Sequence, residues 1–174
     1  MTELVPLAQI DPQAVEHLLD RAFGADRRAR TAYRVRIGTH PIPALSFAAL
    51  HGDALAGTIQ CWPVALTCDG GDSVAMVMVG PVAVEPEWQQ AGIGRVLMEA
   101  MLTAAGDAPL MLIGDPEYYG RFFGFVADRT GGWRLPGPFE ARRLLARGAG
   151  VPDCAGEVGP RVLAPALSSD PMVA

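Results

Sequence analysis

Residues 76–105, MVMVGPVAVEPEWQQAGIGRVLMEAMLTAA, decide how the rest of the chain is read. From Met76 to Val84 nearly every position is apolar, the pattern of a strand covered on both faces inside a sheet. Gly80-Pro81 interrupts that run. Proline has no N–H to give a ladder, so it predicts a bulge or a splayed edge here, with backbone near Val82, Ala83 and Val84 free to meet something other than a strand. The turn Glu85-Pro-Glu-Trp-Gln-Gln-Ala-Gly-Ile-Gly94 comes next. After it Val96, Leu97, Ala100, Met101 and Ala104 recur at helical spacing and predict a helix over 95–105 with one apolar face. The first turn of a helix carries unpaired N–H groups and a partial positive charge, so it can hold a phosphate. Gly92 and Gly94 lack Cβ atoms and let an anion approach the main chain. A Gly-x-Gly alone is equally consistent with glycines that only ease a bend.

Composition narrows the class. At 174 residues the chain reads as one domain spanning 1–174, large enough to bury roughly 70% of its unfolded surface. Half the residues are hydrophobic and 19% are charged, which is a globular composition. A net charge of −5 speaks against a nucleic-acid partner. All 14 basic residues are arginine. No apolar run approaches the ~18 residues of a membrane span, and MTELVPLAQI lacks the basic and apolar regions of a secretory signal. Cys61, Cys68 and Cys154 show no C-x-x-C spacing, which predicts neither a disulfide framework nor a zinc site. The expectation is a cytoplasmic protein without a metal.

Outward from the central stretch, residues 2–7 predict a first strand. Asp11-Pro12 then supplies an N-cap and an N1 proline for a helix with a Val15, Leu18, Leu19, Ala22, Phe23 stripe that ends at Gly24. Residues 26–37 predict a second helix, whose arginines Arg27, Arg28, Arg30, Arg34 and Arg36 read as a solvated face or as an anion-binding run. Gly52-Asp53 between 46–51 and 54–62 is a hairpin signature. Leu110 to Gly114 must return parallel to the central strand through the helical crossover. Asp115-Pro116-Glu117 opens a short helix carrying Tyr118, Tyr119, Phe122 and Phe123, with Gly124 at its end. Phe125 to Ala127 begins another strand, and Trp133 to Leu135, Gly137-Pro138 and Arg142 to Ala146 predict a last extended pair, read as a final hairpin. Residues 148–174, rich in Gly, Pro and Ala, are expected on the surface, the last few loose.

In this order the sequence resembles the GNAT superfamily of acetyl-CoA-dependent N-acetyltransferases, a bacterial branch of predicted members. The resemblance rests on VGPVAVEPEWQQAGIGRVLM at 79–98, where Gln89-x-x-Gly92-x-Gly94 fits the family's Arg/Gln-x-x-Gly-x-Gly/Ala turn, and on LIGDPEYYGRFFGF at 112–125. It implies an α/β (by some schemes α+β) fold: one domain with a mixed central sheet of about six or seven strands, flanked by helices and splayed at its central parallel pair. It also implies acetyl-CoA as acyl donor and a primary amine of a small molecule or peptide as acceptor, with a homodimer left open. The pyrophosphate falls to main-chain N–H groups of Gln89, Gln90, Ala91, Gly92, Ile93, Gly94 and Arg95. The thioester falls to main chain at Val82, Ala83 and Val84, with Tyr119 and Phe122 also along the cofactor.

The family's general acid is a tyrosine on the short helix, here Tyr118 or Tyr119. Adjacent helical residues point ~100° apart, so only one reaches the sulfur. Tyr119 is the choice, as the second of the usual Tyr-Tyr pair. One departure from the family pattern is an extra Phe between Arg121 and Gly124. No general base is readable; Glu85 at the strand end is a candidate, while Asp115 reads as a helix cap and His51 as a hairpin-tip residue. A non-catalytic acyl-CoA-binding module of the same fold is the alternative. An unrelated nucleotide binder is disfavoured, because there is neither Gly-x-Gly-x-x-Gly nor a Walker lysine.

Overall fold

The central strand, β4 (Ser73–Val84), is the reference for everything packed around it. The computed structural model describes residues 1–163, and β4 lies there within one eight-stranded mixed sheet. Its other members are β1 (Thr2–Pro6), β2 (Phe47–His51), β3 (Ala54–Cys68), β5 (Leu110–Ile113), β6 (Trp133–Arg134), β7 (Leu144–Arg147) and β8 (Gly156–Pro160). The order is β1-β2-β3-β4-β5-β7, with β8 on β3 and β6 on β8. β4 and β5 run parallel, as do the short β6 and β8, and every other pair is antiparallel. The helices are α1 (Pro12–Phe23), α2 (Thr31–Val35), α3 (Ile93–Ala105) and α4 (Pro116–Phe123).

Side chains of β4 alternate between two cores, as its unbroken apolar run predicts. Val77 and Val79 face α3 and pack with Leu97, Met101, Leu110 and Phe125. Met76 and Met78 face the opposite layer of Val35, Leu66, Met111, Trp133 and Leu144. α1 adds a third cluster, setting Val15, Leu18 and Leu19 against Ala48 and Ala83. Each fully buried Leu or Met here contributes ~1.5–3 kcal/mol over an exposed one. α3 comes close to the sheet at Gly57, where a Cβ would meet Ile93 Cγ2 at 2.9 Å. A larger residue there would lift the helix.

Gly80-Pro81 forms the expected bulge. Ile59 pairs with Val82 and Cys61 with Val79, so Gln60 alone opposes the two residues Gly80 and Pro81. On its other edge β4 pairs with β5 only at Val77–Leu110 and Met78–Met111. Beyond those two rungs the strands separate, and β4 from Val79 onward presents an unpaired edge.

Several sequence expectations shift. Residues 26–37 form not one helix but a 3-10 turn at Arg27–Ala29 and the single-turn-scale α2. The last extended pair is no hairpin: β7 extends the sheet beside β5, while β6 joins β8. Pro136 and Pro138 in the connection have no N–H to give a ladder. Phe125–Ala127 contributes an isolated bridge from Val126 to Ala146 rather than a strand. β8 arises inside the Gly/Pro/Ala-rich segment expected at the surface and pairs with the second half of β3; the tail expected to be loose lies outside the described residues. On α3 the inward face is Ile93, Leu97, Met98 and Met101, while Val96 is 42% exposed. A helix this rich in Ala and Met offers two candidate stripes, and small alanines do not choose between them.

The cysteines also require correction. Cys68 and Cys154 form a disulfide across 86 residues, and Cys61 is free and buried. The pairing of Cys68 with Gly156 in the β3–β8 ladder brings Cys154 alongside, a closeness no local spacing could display. Disulfides persist in oxidising compartments, so cysteine usage no longer argues for a reducing one. Among the described residues no helix is long and apolar enough to cross a membrane.

Candidate functional site: a cleft at the splayed strand pair

Two cavities meet where β4 and β5 separate. The larger, about 710 Å³, has Val79–Val82 on one wall and Leu112–Gly114 on the other. The smaller, about 320 Å³, lies between the end of α1, the end of β4 and the start of α3. Phe23, Val82 and Tyr119 line both. These volumes fall in the usual range for small-molecule sites.

The smaller cavity gathers Val82, Val84, Gln89, Gly92, Gly94 and Arg95 from the opening stretch. Gly92 is the N-cap of α3 at φ +79°, a left-handed conformation that favours glycine, and no side chain caps the helix. The N–H groups of Ile93, Gly94 and Arg95 therefore have no acceptor within their own helix. The Ala91 N–H is different, since it donates to the Trp88 carbonyl. Ile93 turns its side chain into the core and Gln90 is exposed, so any part they take is through the main chain. Gln89 lies with its amide nitrogen 3.5 Å from the Val84 carbonyl. Arg95 is half exposed and pairs with Glu99 at 3.0 Å. Ala83 packs against the α1 cluster, leaving only its main chain toward the free edge of β4.

α4 brings the tyrosines. Asp115 caps it by accepting the Glu117 N–H at 3.0 Å, and Gly124 closes it at φ +74°. Hydrogen bonding to Glu117, helped by Arg142 and Arg143, holds the Asp115 carboxyl below the usual carboxylate range. Tyr119 lies over Gly114 so closely that a Cβ there would come within 2.6 Å of its ring. Burial, and then the neighbouring Tyr118, push the Tyr119 phenol above its ordinary value. It stays protonated through neutral pH. Tyr118 lines the smaller cavity only, with its ring edge-on to Tyr119 at 5.0 Å. The extra Phe is absorbed at the end of the helix: Phe123 is buried and Phe122 is 44% exposed. Phe122 lines neither cavity and lies under Arg95 and Arg121, whose guanidinium carbons are 5.3 and 5.2 Å from its ring centre.

Glu85 is held by Arg21 in a two-pronged pair, both bonds 2.8 Å, and lines neither cavity. His51 packs its ring against Trp88. The sequence did not single out Phe23 or Arg143, and it marked Arg27, Arg30 and Arg36 only as members of a run, solvated or anion-binding. Phe23 ends an ordinary amphipathic stripe, and an arginine run carries no mark of which member turns inward.

The α/β sheet splays at a parallel pair, with an uncapped helix N-terminus on one side of the opening and a half-buried tyrosine on the other. The acetyltransferase (GNAT) domain matches residues 5–125, and the chain belongs to that family. Its fold is similar to that of a GNAT family N-acetyltransferase (YhbS) from Escherichia coli, solved in complex with CoA, at 23% identity and TM-score 0.67 over 92% of this chain and 89% of that one. It is similar also to a GNAT family acetyltransferase from Brucella melitensis, solved in complex with acetyl-CoA, at 25% identity and TM-score 0.59 over 92% and 96% of the two chains. A search of curated proteins found no match.

Proposed function

We propose that this protein moves an acetyl group from acetyl-CoA to a primary amine of a small molecule or protein. One observation carries the reading: Val82 and Tyr119 line both cavities, so donor and acceptor compartments share a wall that includes a half-buried phenol. The smaller cavity fits the donor. The N–H groups of Ile93, Gly94 and Arg95 face a phosphate with the helix dipole behind them, each favourable contact contributing ~0.3–2 kcal/mol. Arg95 adds a charge-assisted bond once it leaves Glu99.

In the transfer the thioester C–S bond breaks as the C–N bond forms, the amine loses a proton and the sulfur gains one. Tyr119 holds the proton the sulfur needs, and a positioned acid contributes about 10²–10⁴-fold in rate. The free edge of β4 after the bulge, at Val82–Val84, supplies main-chain N–H to the carbonyl oxygen as negative charge develops there. Glu85 could take the amine proton only from within its pair with Arg21. That pairing is the observation favouring the second reading, a non-catalytic acyl-CoA-binding module. Calorimetric titration with acetyl-CoA, followed by CoA thiol release with a panel of amines, tests both. Absence of binding would sink the donor assignment, and binding without release on any amine would favour the module.

A further inference from the structure

Two arginines from the 26–37 segment are buried, and they are buried differently. Arg27 is 1% exposed and has partners all round: Glu16, Asp20 and the Tyr33 hydroxyl accept from it. Burial works against its charge, but these bonds more than offset it and its pKa is raised. Arg36, at the end of α2, is 5% exposed and has no carboxylate partner among the described residues. Its guanidinium carbon lies over two rings, 4.0 Å from the centre of Tyr33 and 3.9 Å from that of Trp62. A guanidinium set against aromatic rings still bonds through its in-plane N–H groups. Nη1 is buried without an acceptor among the described residues, and so is the indole N–H of Trp62.

Burial lowers the Arg36 pKa to about 10, with Tyr33 opposing the fall, so the group is still a cation at neutral pH. A buried cation without a counter-charge is costly, and one in the wall of a cavity can be compensated by what enters. Arg36 lines the larger cavity, the same one that Tyr119 lines. Arg30 and Arg143 add positive charge to that wall against Asp115 and Glu140. Asp115 already uses one oxygen at the α4 cap. The local balance thus runs opposite to the chain's net charge of −5, which by itself would steer a cationic amine toward the protein.

We propose that the acceptor is an amine that also bears a carboxylate, and that the in-plane N–H groups of Arg36 receive that carboxylate in the larger cavity. Two parallel N–H groups of a guanidinium match the two oxygens of a carboxylate, which is why arginine rather than lysine recognises it. This deepens the acetyltransfer reading and rests on it for the amine, while the carboxylate site stands on Arg36 alone.

The test uses matched acids and amides: glycine and glycinamide, β-alanine and its amide, 4-aminobutyrate and its amide, phenylalanine and its amide, with 2-aminoethylphosphonate to separate carboxylate from phosphonate. With acetyl-CoA present, kcat/KM for the acid should exceed that for its amide by about tenfold or more in at least one pair, chiefly through KM, because a site built to bond a polar group discriminates strongly against its absence. Arg36→Met should bring the ratio to within about threefold, and Arg36→Lys should recover part of it. Binding of the N-acetylated acids and amides to the CoA-loaded protein and to the protein alone gives the same comparison without turnover. A guanidinium that merely braces Tyr33 and Trp62 predicts a lower melting temperature in Arg36→Met with no change in acid preference. Equal handling of acids and amides, or a preference that survives Arg36→Met, overturns the proposal. Failure of acetyl-CoA to bind overturns the donor reading instead, and leaves the acid-against-amide binding result to decide this one.

Discussion

The two halves of the cleft are made from different materials. The smaller cavity sets unengaged main chain, the bared start of α3 and the glycines that expose it, among the side chains of Phe23, Val82, Val84 and the two tyrosines. The larger is built of side chains converging from α2, β4, β5 and the segments around Pro138 and Arg143. Main-chain donors survive any substitution that keeps the backbone path. A side-chain site is rewritten by single substitutions, so it is where a particular acceptor would be chosen. Tyr119 belongs to both halves, and changes there should be felt most.

Tyr119→Phe removes the hydroxyl proposed as the acid while leaving the ring over Gly114. We expect kcat to fall about 10²–10⁴-fold with acetyl-CoA affinity within about twofold. An unchanged kcat would move the role to Tyr118 or to water and separate the two halves chemically. The pH profile sharpens the same point. The Tyr119 pKa is raised, so the phenol is fully protonated below its ordinary value of about 10 and loses its proton only above it. No decline in kcat between pH 7 and roughly 10 should therefore depend on Tyr119. A decline centred near pH 8 that vanished in Tyr119→Phe would contradict the assignment. Next in size is Gly114→Ala. Its Cβ would fall 2.6 Å from the Tyr119 ring, so the ring must move. Displacing a reacting group by about 1 Å can lower the rate ~10²-fold. CoA titration should be little affected, since Gly114 lines only the larger cavity.

The same division explains how far the residues could be read without coordinates. Gly92 and Gly94 stood out because glycine is a visible letter, and the structure sets both, with Gln89, on the wall of the smaller cavity. The Gly80-Pro81 bulge was legible because proline cannot serve in a ladder. Tyr119 was favoured over Tyr118 by its place in the family's pair, and the structure lets Tyr119 line both cavities and Tyr118 one. Arg36 was not legible, because it is one of five arginines in a short run and its distinction lies in Trp62, which arrives from β3. Phe122, assigned to the cofactor, instead caps two arginines at the surface, since the additional residue before Gly124 leaves Phe123 as the buried ring. The disulfide was hidden for the same reason as Arg36. Both depend on which distant segment lies alongside, and composition does not report that.

Smaller effects test the main-chain half itself. Arg95→Ala removes an exposed guanidinium that in the absence of ligand is paired with Glu99. Exposed charges of this kind are worth up to ~1 kcal/mol, so CoA affinity should fall about three- to fivefold, and less at high salt. Glu99→Gln frees the same arginine and should move affinity slightly the other way. A loss beyond about thirtyfold in Arg95→Ala would mean that the cofactor side also leans on a side chain, and the contrast between the halves would weaken.

Gly94→Ala should have the smallest effect, and it is informative for that reason. A Cβ there meets Val84 Cγ2 at 3.7 Å and Val82 Cγ1 at 3.8 Å, ordinary contact, and the backbone is not in the left-handed region. Alanine is the better helix former by up to ~1 kcal/mol, so the melting temperature should hold or rise. The new methyl points toward Val82 and Val84, along the wall of the smaller cavity, and leaves the Gly94 N–H where it is. If phosphate meets the helix end-on, calorimetry should find CoA affinity within about threefold of the parent. Gly92→Ala makes the control, because φ +79° strains any residue with a Cβ and would shift the cap itself. A Gly94→Ala protein that keeps its stability but binds CoA more than tenfold weaker would show that the phosphate lies against the β4 face of the helix, where the methyl stands. In that case Val82 and Val84 shape the site with their side chains, and the cofactor half would be less purely backbone than its glycines suggest.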